Sequence, residues 1–267
     1  MKRKIEEMEK KNVMRVGYWS IRGLGAPCRM MTMYAGVKAR FDVYDVKPKD
    51  GGGWDASSWF NTKKDLKKIN PLMNLPYVID GDVIVNQTNA VMAYIGRKLG
   101  LWAKSDSENV EVEQLMCEIY DLRNLVVKFA YGRDGAKTTK DGAESLLKNV
   151  TGKNGILQKL ELWLARGDGT FLVGGHATAP DFHLYELIDQ LISMATFFKL
   201  PSPVSTYSGL SKFYTLFGSL PKMQPYLKSP FHTLPHNQKM AKFGANPDGS
   251  AWEPGQTYDW GNLSGVY

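Results

Sequence analysis

The stretch LPYVIDGDVIV, residues 75–85, predicts a β-hairpin. Two runs of β-prone residues flank Asp80-Gly81, and Asp-Gly between such runs is typical of a tight turn. A helix is predicted directly afterwards, because apolar residues at positions 91, 94, 95 and 99 follow a helical period within residues 87–99. A single hairpin is not a stable sheet, so the preceding residues must supply further strands.

The residues before the hairpin do contain such strands. Residues 13–20 (VMRVGYWS) are typical of a short buried strand, and residues 41–46 of a second one. Between them, residues 29–36 predict a helix that ends at a glycine. Residues 47–58 form a Pro/Gly-rich loop. Residues 14–99 therefore predict a compact α/β domain with the order β-α-β-loop-ββ-α.

The pattern changes after residue 104, where helical spacing dominates. Apolar residues follow the helical period over residues 112–129, 146–164 and 181–198. Thr178 and Asp181 have the spacing of a capping box and would start the last of these helices. Residues 106–243 therefore predict an all-helical domain.

Two segments lie outside these domains. Residues 1–13 form a highly charged arm, and residues 244–267 form an irregular tail rich in Gly, Trp, Tyr and Pro. The arm has no apolar centre like that of a secretory signal, and its glutamates are atypical of a mitochondrial transit peptide. Either segment could anchor a partner, and a solvated arm with a disordered or surface-packed tail is the simpler interpretation.

The composition excludes several classes of protein. The 267 residues carry a formal net charge of +7, with 43% hydrophobic residues and two cysteines. No apolar stretch is long enough to span a bilayer. Two cysteines without a C-x-x-C motif exclude a disulfide scaffold and a zinc ribbon, and a cytoplasmic location is expected. The basic residues are spread thinly, with no run suited to phosphates, so no nucleic-acid partner is expected.

Several short motifs stand in a specific order along the first domain. GYWSIRGL occupies residues 17–24, and it is followed by SWFNTK at 58–63, NLPYVIDG at 74–81, QTNA at 87–90 and YIGRK at 94–98. Each motif alone is weak, but their ordered combination resembles the mu class of cytosolic glutathione transferases. The resemblance covers residues 14–243. It implies a thioredoxin-like N-terminal domain followed by an all-helical C-terminal domain, which is the glutathione transferase fold.

Tyr18 is the candidate catalytic residue. It follows a glycine at the end of a predicted buried strand, so its hydroxyl can point into the crevice at the carboxyl end of that strand. A thiol with a pKa of about 8.5 is only a few per cent ionised at neutral pH, and a phenol O–H that donates to the sulfur stabilises the thiolate. The alternative is a tyrosine that only fills the end of the strand, and the resemblance favours the catalytic role.

The resemblance implies a glutathione site built from several short segments. Trp59 and Lys63 lie one helical turn apart and present two donors to the glycyl carboxylate. Pro76 implies a cis peptide bond that turns the preceding backbone toward the cysteinyl part. Gln87 and Thr88 open a helix whose free N–H groups suit the γ-glutamyl carboxylate. The implied glutathione-binding residues are Trp19, Leu24, Trp59, Lys63, Asn74, Leu75, Pro76, Gln87, Thr88 and Asp121.

The resemblance also implies an apolar pocket for the electrophile. Ile21, Val127 and Tyr131 are the implied electrophile-binding residues, beside Trp19 and Leu24. Tyr131 could donate a hydrogen bond to a developing charge or to a leaving oxygen.

Thr88, in place of the usual serine, and the longer loop with three glycines at residues 51–53 are mild departures from the mu pattern, and three further features depart from it. Ala56 stands where an arginine usually precedes the tryptophan, and Asn237 stands where the pocket usually has an aromatic residue. Leu72 or Met73 replaces the usual aromatic lock residue of the dimer. Asp121, which by resemblance reaches the glutamyl amine bound to the partner subunit, still implies a homodimer.

The implied function is that of a glutathione S-transferase, which ionises glutathione beside Tyr18 and conjugates it to hydrophobic electrophiles in detoxification. Glutathione is the cosubstrate, and no other cofactor is implied. His232 and His236 have metal-like spacing, but Pro235 breaks the helix that such a site needs. Two alternatives stay open: a structural or binding subunit of a larger assembly joined through the tails, and a glutathione-dependent isomerase or peroxidase.

Overall fold

The computed structural model describes residues 13–256 and 262–267. The charged arm of residues 1–12 and the Tyr-Asp-Trp-Gly run of the tail lie outside the described residues. Among the described residues, none of the helices combines the length and the apolar character that crossing a membrane requires.

A five-stranded mixed sheet forms the centre of the N-terminal part. Its strands are β1 (Met14–Trp19), β2 (Ala39–Tyr44), β5 (Tyr77–Asp80), β6 (Val83–Asn86) and β7 (Gly265–Val266), in the spatial order β6-β5-β1-β2-β7. β1 runs parallel to β2, whereas β5 runs antiparallel to β1. Two short strands, β3 (Lys47–Pro48) and β4 (Trp54–Asp55), pair separately within the Pro/Gly-rich loop.

Two glycines allow this sheet to form. The predicted hairpin consists of β5 and β6, and Gly81 in its turn has a φ of 59°. Glycine adopts this backbone conformation without strain. Gly17 of β1 serves another purpose, because a Cβ atom there would lie 2.2 Å from the ring of Tyr77 on β5. The missing side chain lets the Tyr77 ring lie across β1.

Three helices cover the sheet: α1 (Gly25–Tyr34), α2 (Ser57–Leu66) and α3 (Thr88–Leu99). α1 begins earlier than the predicted residue 29, because the turn after β1 leads directly into the helix through the Ala26 amide, which donates to the Arg22 carbonyl at 2.9 Å. α1 and α3 pack on the face of the sheet that carries Val16. α2 packs on the opposite face, where the Trp59 ring lies 5.1 Å from that of Tyr44.

The C-terminal part is helical. Its helices are α4 (Asp106–Tyr131), α5 (Lys140–Thr151), α6 (Ile156–Leu164), α7 (Ala179–Phe197), α8 (Ser208–Ser219) and the short α9 (Gln224–Leu227). α7, most of whose residues are buried, packs along α4. The predicted capping box is present at its start, where Asp181 Oδ2 accepts from both the amide and the hydroxyl of Thr178 at 2.7 Å.

The helical run predicted over residues 146–164 is interrupted. α5 ends at Thr151 and α6 begins at Ile156. Asn154, between them, has a φ of 64°, which a right-handed helix cannot contain. The apolar period continues across the break because both helices bury apolar residues in the same core.

The prediction of an irregular tail is wrong for its last residues. Gly265–Val266 form β7, which pairs antiparallel with β2 at the edge of the sheet. The ring of Tyr267 stacks on Phe41 with centroids 5.6 Å apart, and its backbone exchanges hydrogen bonds with Ala39 at 2.9 and 3.0 Å. An unpaired strand edge can be completed by any short extended segment. A two-residue strand has no period that a sequence could reveal.

A buried ion-pair network joins the two parts. Arg22, in the turn after β1, places Nη2 2.6 Å from Glu186 Oε2 and 2.6 Å from Asp189 Oδ2. Both carboxylates belong to α7, and the side chains of Arg22 and Glu186 are almost fully buried. The Arg22 amide also donates to the Pro235 carbonyl at 2.8 Å. The turn after Tyr18 is therefore fixed by the helical part.

Candidate active site

Tyr18 lies at the end of β1, where the sheet meets the helical part. Its side chain is buried, and Gly25 leaves room for the ring, since a Cβ atom there would lie 2.5 Å from Tyr18 Cδ1. Burial raises the pKa of Tyr18 to about 12, although the Leu24 amide, which donates to the phenol oxygen, acts in the opposite direction. The phenol therefore stays protonated at neutral pH and keeps its O–H for donation.

The predicted cis peptide bond is present between Leu75 and Pro76. The loop before it is held by Asn70, whose Oδ1 accepts from the Leu72 amide at 3.0 Å and whose Nδ2 donates to Asn86 Oδ1 at 3.2 Å. Asn86 in turn donates to the Leu72 carbonyl. Neither asparagine was among the predicted site residues, although an Asn-Pro dipeptide, here Asn70-Pro71, is a known turn signal.

The start of α3 places Gln87 and Thr88 at a strained turn. Gln87 has a φ of 74° and a ψ of 126°, which a residue with a Cβ atom rarely adopts. Thr88 is the buried first residue of α3, and the side chain of Gln87, the residue before it, forms no capping hydrogen bond within the described chain. The first amides of α3 and the positive end of its dipole suit a carboxylate. Backbone strain of this kind is typical of ligand sites.

α2 brings Trp59 and Lys63 close to the cis-proline loop. The buried Trp59 ring meets Trp19 edge-on, with centroids 6.5 Å apart. Lys63 Nζ lies 5.9 Å from the Trp59 ring centroid and donates to Asn74 Oδ1 at 3.3 Å. This contact is exposed, so the ammonium group stays accessible to an anion.

A buried polar network, which was not predicted from the sequence, supports these residues from within the sheet. Tyr77 donates its hydroxyl to Asp42 Oδ2 at 2.9 Å and lies 2.7 Å from the Tyr44 hydroxyl. Arg15 Nη2 lies 2.7 Å from the same carboxylate oxygen. Burial and the nearby Asp42 carboxylate raise the pKa of Tyr77, so its O–H remains a donor. The network fixes the rings on which Trp59 packs.

A cavity of about 40 Å³ opens beside Tyr18. It lies between the turn after β1, the helices α4 and α7, and the segment after α9. Its lining residues are Tyr18, Ile21, Gly23, Leu24, Arg123, Val127, Tyr131, His183, Leu187, Gln190 and Asn237. The predicted residues Leu24, Ile21, Val127 and Tyr131 are thus brought together with Tyr18, whereas Trp19 is not part of this wall.

Besides the two tyrosines and the apolar residues, four polar side chains line the cavity. Arg123 comes from α4, His183 and Gln190 come from α7, and Asn237 comes from the segment after α9. The helical period of the sequence places these residues on helices. It could not reveal that their side chains meet at one cavity, because that depends on how α4 packs against α7.

Tyr131 is held by the chain that follows the helices. The Gln238 amide donates to the Tyr131 phenol oxygen at 2.9 Å, and burial raises the pKa of that phenol. Asn237 Nδ2 donates to the Phe243 carbonyl at 3.1 Å. Residues after Pro235 therefore close the cavity from outside, and among them only the position of Asn237 was predicted from the sequence.

Asp121 lies apart from the cavity and from the other predicted site residues. It is exposed on α4, and within the described part of the chain its side chain forms no hydrogen bond or ion pair.

The described residues also contain no group of three or more His, Cys, Asp or Glu side chains arranged to hold a metal ion. His236 is buried with Nδ1 4.0 Å from Glu186 Oε1, and burial lowers its pKa to about 3. His232 is half-buried, and burial lowers its pKa as well.

Comparison with known proteins places both parts of the chain in one family. Residues 14–97 match the description "Glutathione S-transferase, N-terminal domain", and residues 120–230 match "Glutathione S-transferase, C-terminal domain". The crystal structure of the glutathione S-transferase Blo t 8 aligns with a TM-score of 0.72 and 22% identity, over 86% of this chain and 99% of that one. This structural match confirms the predicted fold class.

Two relatives extend the match over most of the sequence. A glutathione S-transferase of Tyrophagus putrescentiae is 32% identical over 228 residues, which are 85% of this chain and 95% of the relative. Glutathione S-transferase Mu 1 of Oryctolagus cuniculus is 31% identical over 217 residues, which are 81% of this chain and 91% of the relative. These matches confirm the resemblance to the mu class and the predicted enzyme class. The chain belongs to the glutathione S-transferase family.

Proposed function

We propose that this protein joins the thiol of glutathione to electrophiles that bind against the helical part. The observation that carries the proposal is the position of Tyr18. Its phenol is buried at the end of β1 and lines a cavity whose opposite wall comes from α4 and α7. A sulfur bound next to this hydroxyl would lie between its hydrogen-bond donor and the second substrate.

Tyr18 acts as a hydrogen-bond donor to the thiolate in this proposal. With a pKa of about 12, its phenol remains protonated where a thiol begins to ionise. A donor aimed at the sulfur stabilises the thiolate over the thiol, and each unit by which the thiol pKa falls is worth about 1.4 kcal/mol. The thiol proton leaves to solvent. The thiolate then forms a C–S bond with the bound electrophile, and the displaced electron pair departs with the leaving group, such as chloride, or moves out of the π bond that is attacked. Holding both reactants together adds the benefit of proximity.

Three anchors are proposed for glutathione, the cosubstrate. The backbone of Leu75, turned by the cis bond, pairs with the cysteinyl main chain like an added strand. Lys63 and Trp59 receive the glycyl carboxylate. The start of α3 at Thr88 receives the γ-glutamyl carboxylate, with the strained Gln87 beside it. Trp19, Leu24 and Asn74 complete the proposed glutathione-binding set.

The test compares Tyr18→Phe with Tyr94→Phe. Tyr94 also uses its hydroxyl, donating to Asp80 Oδ2 at 2.7 Å, but it lies outside the cavity. For Tyr18→Phe, kcat/KM with glutathione and 1-chloro-2,4-dinitrobenzene should fall about 100-fold, as is typical for loss of one such donor. Retention on immobilised glutathione should stay unchanged, and Tyr94→Phe should keep its activity.

Two other outcomes of this comparison would contradict the proposal. An unchanged rate for Tyr18→Phe would contradict the role of Tyr18. Retention of the wild type on glutathione without any turnover would favour the structural or binding subunit.

We also propose a homodimer in which Asp121 of each chain completes the glutathione site of the other. Its support is the exposure of Asp121 together with that of two apolar side chains near the cis-proline loop, Leu72 at 72% and Ile69 at 68%. Apolar residues this exposed are typical of an interaction surface when they cluster. Leu72→Glu should shift the sedimentation of the protein from dimer to monomer. Leu162→Glu, at an equally exposed leucine on α6, should leave the dimer intact.

A cytoplasmic location is part of the proposal. The two cysteines are free, and Cys28 is buried. Free thiols and a reduced thiol cosubstrate both suit a reducing compartment.

A further inference from the structure

His183 is buried in the cavity wall without a hydrogen-bond partner. Its exposed fraction is 1%, and neither Nδ1 nor Nε2 has a partner among the described residues. The residue lies on α7 and lines the cavity that contains the Tyr18 hydroxyl. Buried polar groups are nearly always paired, so an unpaired one that faces a cavity points to a missing ligand.

The imidazole of His183 is neutral. Burial, reinforced by the positive charge of Arg123, lowers its pKa to about 3. A neutral imidazole offers one N–H donor and one nitrogen acceptor. The group that it meets in the cavity must therefore be able to form a hydrogen bond, which a plain hydrocarbon cannot do.

Arg123 narrows the choice of that group. Arg123 lines the same cavity, and among the described residues its guanidinium donates to Asn124 Oδ1 at 3.1 Å but has no carboxylate partner. The two other polar side chains of the wall are already engaged, because Gln190 donates to Glu186 Oε1 at 2.8 Å and Asn237 to a carbonyl. A cation and an unused N–H together favour an oxygen that carries or gains negative charge.

We propose that His183, together with Arg123, binds the carbonyl oxygen of an α,β-unsaturated aldehyde or ketone and thereby determines which electrophiles are used. This inference rests on the proposed transferase function. The sulfur of the thiolate forms a bond to the β-carbon, and the π electrons of the C=C bond shift to make an enolate. The enolate oxygen accepts hydrogen bonds from His183 and Arg123. A proton from solvent then adds to the α-carbon and gives the saturated carbonyl thioether.

The cavity must widen to admit this substrate. Its volume of about 40 Å³ is far below the roughly 300–1,000 Å³ of typical small-molecule pockets. The helices α4 and α7 pack through buried residues, whereas Asn237 belongs to an irregular segment. Asn237 itself is buried and donates to the Phe243 carbonyl, so widening at this segment would have to break that hydrogen bond.

The test uses two electrophiles of equal chain length. Hex-2-enal has the carbonyl oxygen, and 1-iodohexane has no oxygen. For His183→Leu, we expect kcat/KM with hex-2-enal to fall at least about ten-fold, which corresponds to about 1.4 kcal/mol. The value with 1-iodohexane should change less than two-fold. His183→Gln, whose amide can donate, should recover part of the activity with hex-2-enal. Leu184→Met, a packing change at the adjacent core residue, should affect neither substrate.

Equal losses of activity with both electrophiles would show a structural role of His183, and no loss with either would show that it does not touch substrate. Each result would overturn the inference. If His183→Leu does not fold, the wild type gives the answer through product affinity. The hex-2-enal adduct of glutathione should bind more tightly than S-hexylglutathione, and equal affinities would contradict the inference.

Failure of the proposed function would give a different result. If the protein were not a transferase, the wild type would conjugate neither 1-iodohexane nor 1-chloro-2,4-dinitrobenzene. If the transferase function holds and only the role of His183 is wrong, 1-iodohexane and 1-chloro-2,4-dinitrobenzene are used and the His183 variants show no preference between substrates.

Discussion

His183 illustrates a conflict between stability and binding at the level of a single residue. A buried polar group without a partner costs about 1–3 kcal/mol, because the water it loses is not replaced. Both ring nitrogens of His183 are in this situation among the described residues. A residue kept for packing alone would be better as leucine, since leucine is apolar and similar in size. The cost makes sense only if a bound group satisfies the imidazole during function.

His183→Leu should therefore raise the free energy of unfolding at neutral pH, by about 1 kcal/mol. The gain should grow on acidification. The pKa of His183 in the folded protein is about 3, below its ordinary value of 6.5, so the unfolded chain takes up a proton first as the pH falls through the ordinary value. Below pH 6.5, the free energy of unfolding of the wild type therefore falls by up to about 1.4 kcal/mol per pH unit more than that of the variant.

Urea unfolding at neutral pH and at about pH 5 measures this effect. A difference between the two proteins that stays constant with pH would contradict the assigned protonation state. A variant less stable than the wild type at both pH values would show that His183 contributes to packing.

The residues of the site differ in how well a sequence can reveal them. Tyr18 and Pro76 lie in short local motifs, and the structure places them at the cavity and in a cis peptide bond. His183 and Arg123 lie within helical apolar periods, where a polar residue resembles an exposed one until the partner helix is placed. Asn70 and Asn86 act through a contact between the loop before Pro76 and the end of β6, which no local pattern encodes.

At the scale of secondary structure, β7 shows that the chain terminus supports the sheet. Tyr267 is bonded to the backbone of β2, and its ring packs on Phe41 and on Phe231 with centroids 5.6 and 4.9 Å away. β2 would otherwise be an open edge, which favours association with other chains. The sheet order puts this edge on the far side of β1 from β5 and the cis-proline loop.

Deletion of residues 262–267 should therefore lower the thermal midpoint and increase light scattering on heating, because the edge of β2 loses its cover. Binding of glutathione should remain within about two-fold, since the proposed anchors lie at β1, β5, α2 and α3. Val266→Thr, a polar change at a half-exposed position of β7, is the control and should leave the midpoint nearly unchanged. Loss of glutathione binding in the truncated protein would mean that β7 also shapes the site.

The elements themselves were predictable where their signals are local. The hairpin around Gly81, the capping box at Thr178 and the amphipathic α4 each follow from neighbouring residues. The break between α5 and α6 was not predictable, because it depends on the backbone conformation at Asn154. The strand β7 was not predictable either, because it pairs with a strand edge more than 200 residues away in the sequence. Tertiary context decides such features, and periodicity alone does not.

At the scale of the whole molecule, Arg22 couples the two parts. It pairs with Glu186 and Asp189 of α7 in a site from which water is largely excluded. Burial tends to raise the pKa of Asp189, but the Arg22 guanidinium holds it below its ordinary value. Burial raises the pKa of Glu186 in spite of the same guanidinium. The two carboxylates thus depend on one cation, and that cation lies in the turn that follows Tyr18.

Arg22→Met should lower the free energy of unfolding by about 3–5 kcal/mol, since it leaves buried carboxylates without their partner. Arg15→Met removes a more exposed arginine from Asp42, whose carboxylate keeps its contacts with Tyr77 and Arg40. This change should lower the free energy of unfolding by only about 1 kcal/mol.

The depressed pKa of Asp189 stabilises the folded wild type at pH values above the ordinary carboxyl pKa. This stabilisation is lost as the pH falls through the pKa of Asp189 in the folded protein. The penalty of Arg22→Met should therefore shrink toward about pH 4, where the unpaired carboxylates of the variant take up protons. Calorimetry across this range measures the penalty, and the same loss at every pH would show that Arg22 acts through packing of its stem rather than through its charge.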